Sequence, residues 1–242
     1  MLNKLIKKLP YFGIVQFDGF KMKSYGRCLE SEFFYSNLFS KKWDFEINER
    51  RELLQILKGV DVFIDIGANT GYYSLLASSM KVERVYAFEP EYNNFKLLIN
   101  NILINDFDII CIPFGCGEKE ELLEFYVGED YSHRYSNSFN RDFSSARYKK
   151  IRSRTKIAVP GDWLINFISQ EKKILIKIDV EGYENSVVPG IAGLMSREIK
   201  PSLLIETEDI NLIEDISKKF GYKIISLSGE NIDVKNYLLV NT

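Results

Sequence analysis

Three apolar runs in this 242-residue chain stop at residues that could do chemistry. Val62–Ile66 carries Asp65 and leads into Gly67-Ala68-Asn69-Thr70-Gly71, with a helix-compatible stretch at 72–80. The run ending at Phe88 is followed by Glu89-Pro90, and Ile174–Ile178 holds Lys177 and precedes Asp179, Glu181 and Glu184. A strand, a glycine turn and a helix opening predict backbone N–H groups aimed at a ligand, with glycine admitting it closely. An acid ending the second strand is placed to accept both hydroxyls of a ribose. Taken together, Asp65, Gly67, Ala68, Asn69, Gly71, Glu89 and Pro90 read as a site for an adenosine-containing cofactor.

Two cofactors compete for that loop. NAD prefers G-x-G-x-x-G, whose close glycines admit a pyrophosphate. Here the spacing is G-x-x-x-G with Asn69 in the middle, which suits a ligand with an amino-acid end and no pyrophosphate, as in S-adenosylmethionine. Lys177 and Asp179 share a face of their strand by its period of two. A lysine inside an apolar strand needs a partner or a shifted pKa, and Asp179 or Glu206 is expected to supply it.

The elements that must hold these residues follow from periodicity. Apolar runs at 61–66, 83–88, 108–113, 174–179 and 202–206 alternate with amphipathic stretches at 71–80, 91–104, 184–194 and 210–219. That alternation predicts an α/β fold with a mostly parallel sheet covered on both faces. The tail, 222–227 and 237–240 around Ser228-Gly229-Glu230, reads as an antiparallel hairpin at one edge. Ahead of the main domain (61–242), residues 1–60 form a small extension and a possible substrate cap. It is expected to hold short strands turning at Asp18-Gly19 and a helix at 43–58, with Leu53, Leu54 and Leu57 at core spacing. An insertion at 128–155 is expected to be polar and irregular, and a run of that length is usually functional or mobile. Its Arg141, Arg147, Lys149, Lys150, Arg152 and Arg154, with Lys156 just beyond, would either bind an anionic substrate or form a solvated loop over the strand ends.

Bulk properties bound the function. Hydrophobic residues at 45% and charged residues at 27% are those of a globular protein, and a net charge of −2 gives no pull toward nucleic acid. Three cysteines without a CxxC pair point to reduced thiols and a cytoplasmic setting. No run is long enough to span a bilayer. Leu2, Leu5, Ile6 and Leu9 face away from Lys4, Lys7 and Lys8, so residues 1–10 either pack on their own domain or lie on the inner face of a membrane. With a single histidine, His133, zinc sites built on paired histidines are excluded; no metal site is expected.

DIGANTGYYS, YAFEPEYNNFKLLINNI, IKIDVEGYENSVVPGI and LLIE, in that order over about residues 60–228, resemble the FkbM-type methyltransferases. The resemblance implies the class I methyltransferase (Rossmann-like) sheet, seven strands in the order 3-2-1-4-5-7-6. It implies S-adenosylmethionine as cofactor, and O-methylation of a sugar, glycan or other small metabolite. The family's first motif falls on Asp65, Gly67, Asn69 and Gly71, its ribose acid on Glu89, and its post-strand motif on Lys177, Asp179, Glu181 and Gly182. Where the family often has Thr-Leu-Asp, this chain has Pro160-Gly161-Asp162 and keeps only the Asp. An alcohol needs a general base, for which the candidates are Asp179, then Glu181, then His133. The basic insertion favours a phosphorylated or nucleotide-linked acceptor. A nucleic-acid methyltransferase and a cofactor-binding scaffold without catalysis are the rival readings; a homo-oligomer is compatible with either.

Overall fold

The computed structural model describes residues 11–17, 19–26, 47–128, 137–227 and 235–241. His133, the stretch 1–10 and the turn at 228–230 lie outside the described residues. A hairpin opens the fold, β1 (Tyr11–Phe17) and β2 (Phe20–Gly26), joined at 18–19 with Gly19 at φ 90°. Helix α1 (Ile47–Leu57) buries Leu53 and Leu57 and half-buries Leu54. The alternating unit follows as β3 (Val62–Ile66), α2 (Tyr72–Ser79), β4 (Arg84–Phe88), α3 (Tyr92–Leu103) and β5 (Ile110–Ile112).

Those strands join β9 (Ile174–Ile178), β10 (Ser202–Thr207), β11 (Tyr222–Ser226) and β12 (Lys235–Asn241) in one seven-stranded sheet. Its order is β5-β4-β3-β9-β10-β12-β11. Numbered by entry into the sheet, that is 3-2-1-4-5-7-6. The pairs β5-β4, β4-β3, β3-β9 and β9-β10 are parallel, and β12 runs antiparallel to both β10 and β11. Strands β3 and β9 are buried at every position, as expected where helices cover both faces. One face packs on α1, α2, α3 and the opening hairpin, which contributes Val15, Phe17, Phe20 and Met22 to that core. The other face packs on α7 (Ile210–Phe220) and on the short helices of 184–195.

Two expectations change here. A continuous helix at 184–194 is instead α5 (Glu184–Val187), a 3₁₀ turn at Pro189–Ile191 and α6 (Ala192–Met195). Pro189 lacks the N–H that a continuous helix needs. Gly190 meanwhile approaches Gly117 so closely that a Cβ would stand 1.8 Å from the Gly117 carbonyl oxygen. The insertion is likewise not irregular where it is described. It holds α4 (Arg141–Arg147) and most of β8 (Ile151–Val159), which pairs with β7 (Glu121–Gly128) and β6 (Gly115–Cys116) in a separate three-stranded sheet. Asn140 starts the helix by accepting hydrogen bonds from the Asp142 and Phe143 N–H groups. No described helix is long and apolar enough to cross a membrane.

Candidate active site

The candidate site lies at the carboxyl ends of β3, β4, β9 and β10, where open parallel sheets bind ligands. The β3–α2 loop turns through the left-handed region at Gly67 (φ 89°), Asn69 (φ 53°) and Gly71 (φ 96°). Its amides are not free, contrary to the expectation of unpaired donors. Gly67 and Ala68 N–H donate to the Phe88 carbonyl, Asn69 N–H to Glu89 Oε2 at 2.8 Å, and Gly71 N–H to the Ala68 carbonyl. The loop is thus folded over the end of β4 and uses most of its donors on that strand end. The glycines serve close packing as much as ligand approach: a Cβ on Gly71 would stand 2.5 Å from Leu98 Cδ1.

What the loop leaves open are acceptors. Asp65 is 1% exposed; its Oδ2 accepts from Ser74 Oγ at 2.6 Å, while the buried Oδ1 has no hydrogen-bond partner among the described residues. The buried Asn69 Oδ1 is in the same condition. Burial raises the Asp65 pKa, opposed by Lys177 and the Ser74 hydroxyl. Glu89 accepts from Asn69 N–H through Oε2 and from Glu91 N–H through Oε1. Burial pushes its pKa up to about 8, against those two hydrogen bonds. Each carboxylate oxygen keeps further lone-pair capacity. Orphaned buried acceptors of this kind cost free energy unless a donor arrives. The ammonium and ribose hydroxyls of an amino-acid nucleoside are such donors, so these residues fit one.

Three residues of this half escaped the sequence reading. Asn101, fully buried on α3, donates Nδ2–H to the Thr70 carbonyl and accepts from Lys23 N–H, tying the hairpin to the loop. Its signal was an amide on an apolar helical face, beside Leu97, Leu98 and Ile102. Glu91 caps α3 through the Asn93 and Asn94 N–H groups. Ser74 holds Asp65. The acid of Pro160-Gly161-Asp162 also has a role: its carboxylate accepts from Gly193 and Leu194 N–H, both at 2.8 Å, and caps α6.

The second half lies between the ends of β9 and β10. Lys177 faces Asp65 across the parallel β3–β9 register and places Nζ 2.7 Å from Asp179 Oδ2, so Asp179 is a partner the sequence led us to expect. The Lys177 ammonium also lies 4.7 Å from the centre of the Tyr73 ring. Asp179 then lines an open cavity of about 150 Å³ with Asn140, Phe143, Glu181, Glu184, Asn185, Glu206, Thr207, Glu208 and Asp209. Glu181 adopts φ 57° and Gly182 follows at φ 86°. Burial, then the neighbouring Asp179 charge, push the Glu181 pKa up to about 9, against Arg147. Burial also raises Glu184, whose Oε1 accepts from Gly182 N–H.

The insertion roofs this cavity. Ser138 Oγ donates to the Val180 carbonyl, Asn140 Nδ2 donates to the Gly182 carbonyl at 2.9 Å, and the Phe139 and Tyr183 rings meet at 5.1 Å. Arg147 lies 3.3 Å over the Phe143 ring and pairs with Glu208 at 3.1 Å. The basic residues of β8 do not line the cavity.

Residues 65–224 match a family model described as the methyltransferase FkbM domain. A curated relative, the hexuronic acid methyltransferase AglP of Haloferax volcanii, is 25% identical over 148 residues, covering 60% of this chain. The match spans 56% of that relative's length. Among solved structures, a precorrin-6y C5,15-methyltransferase from Geobacter metallireducens is 10% identical with a TM-score of 0.45, covering 80% of this chain and 87% of that one. TYW2 of M. jannaschii in complex with AdoMet is 17% identical with a TM-score of 0.43, covering 93% and 83%.

Proposed function

Because the chain belongs to the FkbM methyltransferase family, we propose that it transfers a methyl group from S-adenosylmethionine to a hydroxyl of a sugar or glycan. The observation that carries this reading is the position of Asp179. It lines the cavity, and its backbone abuts Gly67 at the loop whose orphaned acceptors fit the donor. When bound, S-adenosylmethionine supplies an electrophilic methyl carbon on a sulfonium. The Asp65 and Asn69 oxygens would accept from its ammonium end, and Glu89 would accept from its ribose.

Asp179 takes the proton of the acceptor hydroxyl as the oxygen attacks, a role worth roughly 10²- to 10⁴-fold in rate. Glu181, held protonated by its surroundings below about pH 9, serves as a hydrogen-bond donor that orients the acceptor. Holding both reactants in line contributes several kcal/mol more. Asn140, Asn185 and Thr207 offer amide and hydroxyl partners for sugar hydroxyls, and Phe143 offers an aromatic wall. A phosphate or nucleotide carried by the acceptor would extend along the basic strand β8, outside the cavity. The likeness to a hexuronic acid methyltransferase supports a carbohydrate acceptor.

Two measurements test the reading. Tritiated S-adenosylmethionine is incubated with the protein and simple methyl glycosides (gluco, galacto and manno), and mass spectrometry compares the glycans of a deletion strain with its parent. Label transfer or loss of one methyl group is expected. No transfer together with an unchanged glycan profile would overturn the sugar acceptor.

A further inference from the structure

We propose that Lys177 is the positioning residue for Asp179, fixing the side chain that receives the acceptor proton; this rests on the reading of Asp179 as the base. The side chain of Lys177 is 4% exposed and that of Asp179 25% exposed, so one end of the pair is anchored in the sheet and the other reaches the cavity. The 2.7 Å contact uses Asp179 Oδ2 and leaves Oδ1 to the acceptor. An ammonium has three N–H donors, and this one also lies 4.7 Å from the centre of the Tyr73 ring and acts electrostatically on its in-register neighbour Asp65. Tyr73 belongs to the helix that follows the donor loop. Lys177 therefore touches both halves of the site and holds the base at a fixed place relative to the donor. A charge buried in the sheet is a costly way to hold the fold alone, since a well-packed apolar residue does so as well or better.

The test uses the full chain with Lys177→Met, Lys177→Arg, Asp179→Asn and the double variant Lys177→Met/Asp179→Asn. Methyl transfer to the three methyl glycosides is measured, with binding of S-adenosylhomocysteine by calorimetry as the control for folding. Lys177→Met is expected to lower kcat by about 50-fold or more while the acceptor KM changes less than about threefold. Lys177→Arg keeps a charged donor and should restore at least about a tenth of the rate. In the Asp179→Asn background, Lys177→Met should cost nothing further, because the two act as one unit.

A Met variant that binds S-adenosylhomocysteine and keeps its rate, or losses that simply add in the double variant, would overturn the proposal. If Lys177→Met does not fold, the Arg variant decides: a rate below about a hundredth of wild type would refute positioning by charge. If Asp179→Asn alone leaves transfer intact, the base assignment falls, and the proposal with it. If it abolishes transfer while Lys177→Met does not, only the proposal falls. Should wild type label none of the glycosides, crystals of the S-adenosylhomocysteine-bound Lys177→Met protein decide. An Asp179 side chain that has swung away supports positioning; one in its wild-type rotamer overturns it.

Discussion

Gly67 and Asp179 meet backbone to backbone: a Cβ on Gly67 would stand 1.9 Å from the Asp179 carbonyl oxygen. Asp179 N–H in turn donates to the Ile66 carbonyl at 3.0 Å. The donor loop and the proposed base are thereby joined without any side chain between them. At φ 89°, any L-residue at 67 carries backbone strain as well as the clash. Gly67→Ala is expected to destabilise the protein by about 3 kcal/mol, combining left-handed strain with overpacking. Urea unfolding measures this, and an unchanged midpoint would show that the two loops are not in contact.

The orphaned Asp65 oxygen predicts a loss that is specific to the donor. Asp65→Asn keeps the shape, removes the charge and places an amide where an acceptor is needed. S-adenosylmethionine should bind about tenfold more weakly or worse. Its stabilisation of wild type at saturating concentration, about 2.7 kcal/mol at 100 times Kd, should shrink accordingly. Calorimetry and thermal shift would both contradict the assignment if they found equal affinity.

Glu89 and Glu181 hold protons that the unfolded chain releases near pH 4.5, with folded values of about 8 and about 9. The folded state then binds more protons than the unfolded state across that interval, so stability falls as pH rises through it. Their contribution is fully present below about pH 4.5 and is lost as pH rises through 8 and 9. Glu181→Gln should flatten the alkaline side of the curve, lifting the melting temperature at pH 9 by ~2–4 °C relative to wild type. Melting curves from pH 6 to pH 9.5 check this. Parallel curves for the two proteins would place Glu181 in a solvated, ionised setting.

Among the described residues, the cavity is lined by Asp179, Glu181, Glu184, Glu206, Glu208 and Asp209, with no lysine or arginine. A carboxylate on the acceptor ring 5 Å from one such charge would be opposed by about 3 kcal/mol at an effective dielectric constant of 20. Methyl glucoside is therefore expected to be methylated about tenfold faster or more, per kcat/KM, than its 6-carboxylate counterpart. Equal or better use of the uronate would mean that the acceptor ring lies outside this cavity.

The strands were legible because Val62–Ile66 and Ile174–Ile178 are nearly continuous apolar runs, as burial on both faces requires, and Leu203, Leu204 and Ile205 form a shorter one. Asp65 and Lys177 stood out for the same reason, since a charge in such a run is conspicuous, and Asp179 stood out as the acid directly after one. Strand β8 was missed because Arg152, Ser153, Arg154 and Thr155 are all exposed, so no apolar alternation marks the strand. The state of the β3–α2 amides was unreadable for a different reason. Their acceptors, Phe88 and Glu89, belong to the neighbouring strand, and only the folded sheet brings them beneath the turn. Asn101 likewise acquires its meaning from Thr70 and Lys23, at sequence separations of 31 and 78.

The roof over the proposed acceptor cavity enters and leaves the chain between β5 and β9, and its described hydrogen bonds to the β9–α5 loop end on the backbone carbonyls of Val180 and Gly182. Carbonyl oxygens are indifferent to side-chain identity. In evolutionary terms the roof behaves as an exchangeable cassette. Replacing Phe143 and Arg147 can reshape the cavity while Asn140 keeps its bond to Gly182 and the proposed donor residues Asp65, Asn69 and Glu89 stay unchanged. Divergence within such a lineage should accumulate at 137–147 faster than at 62–74.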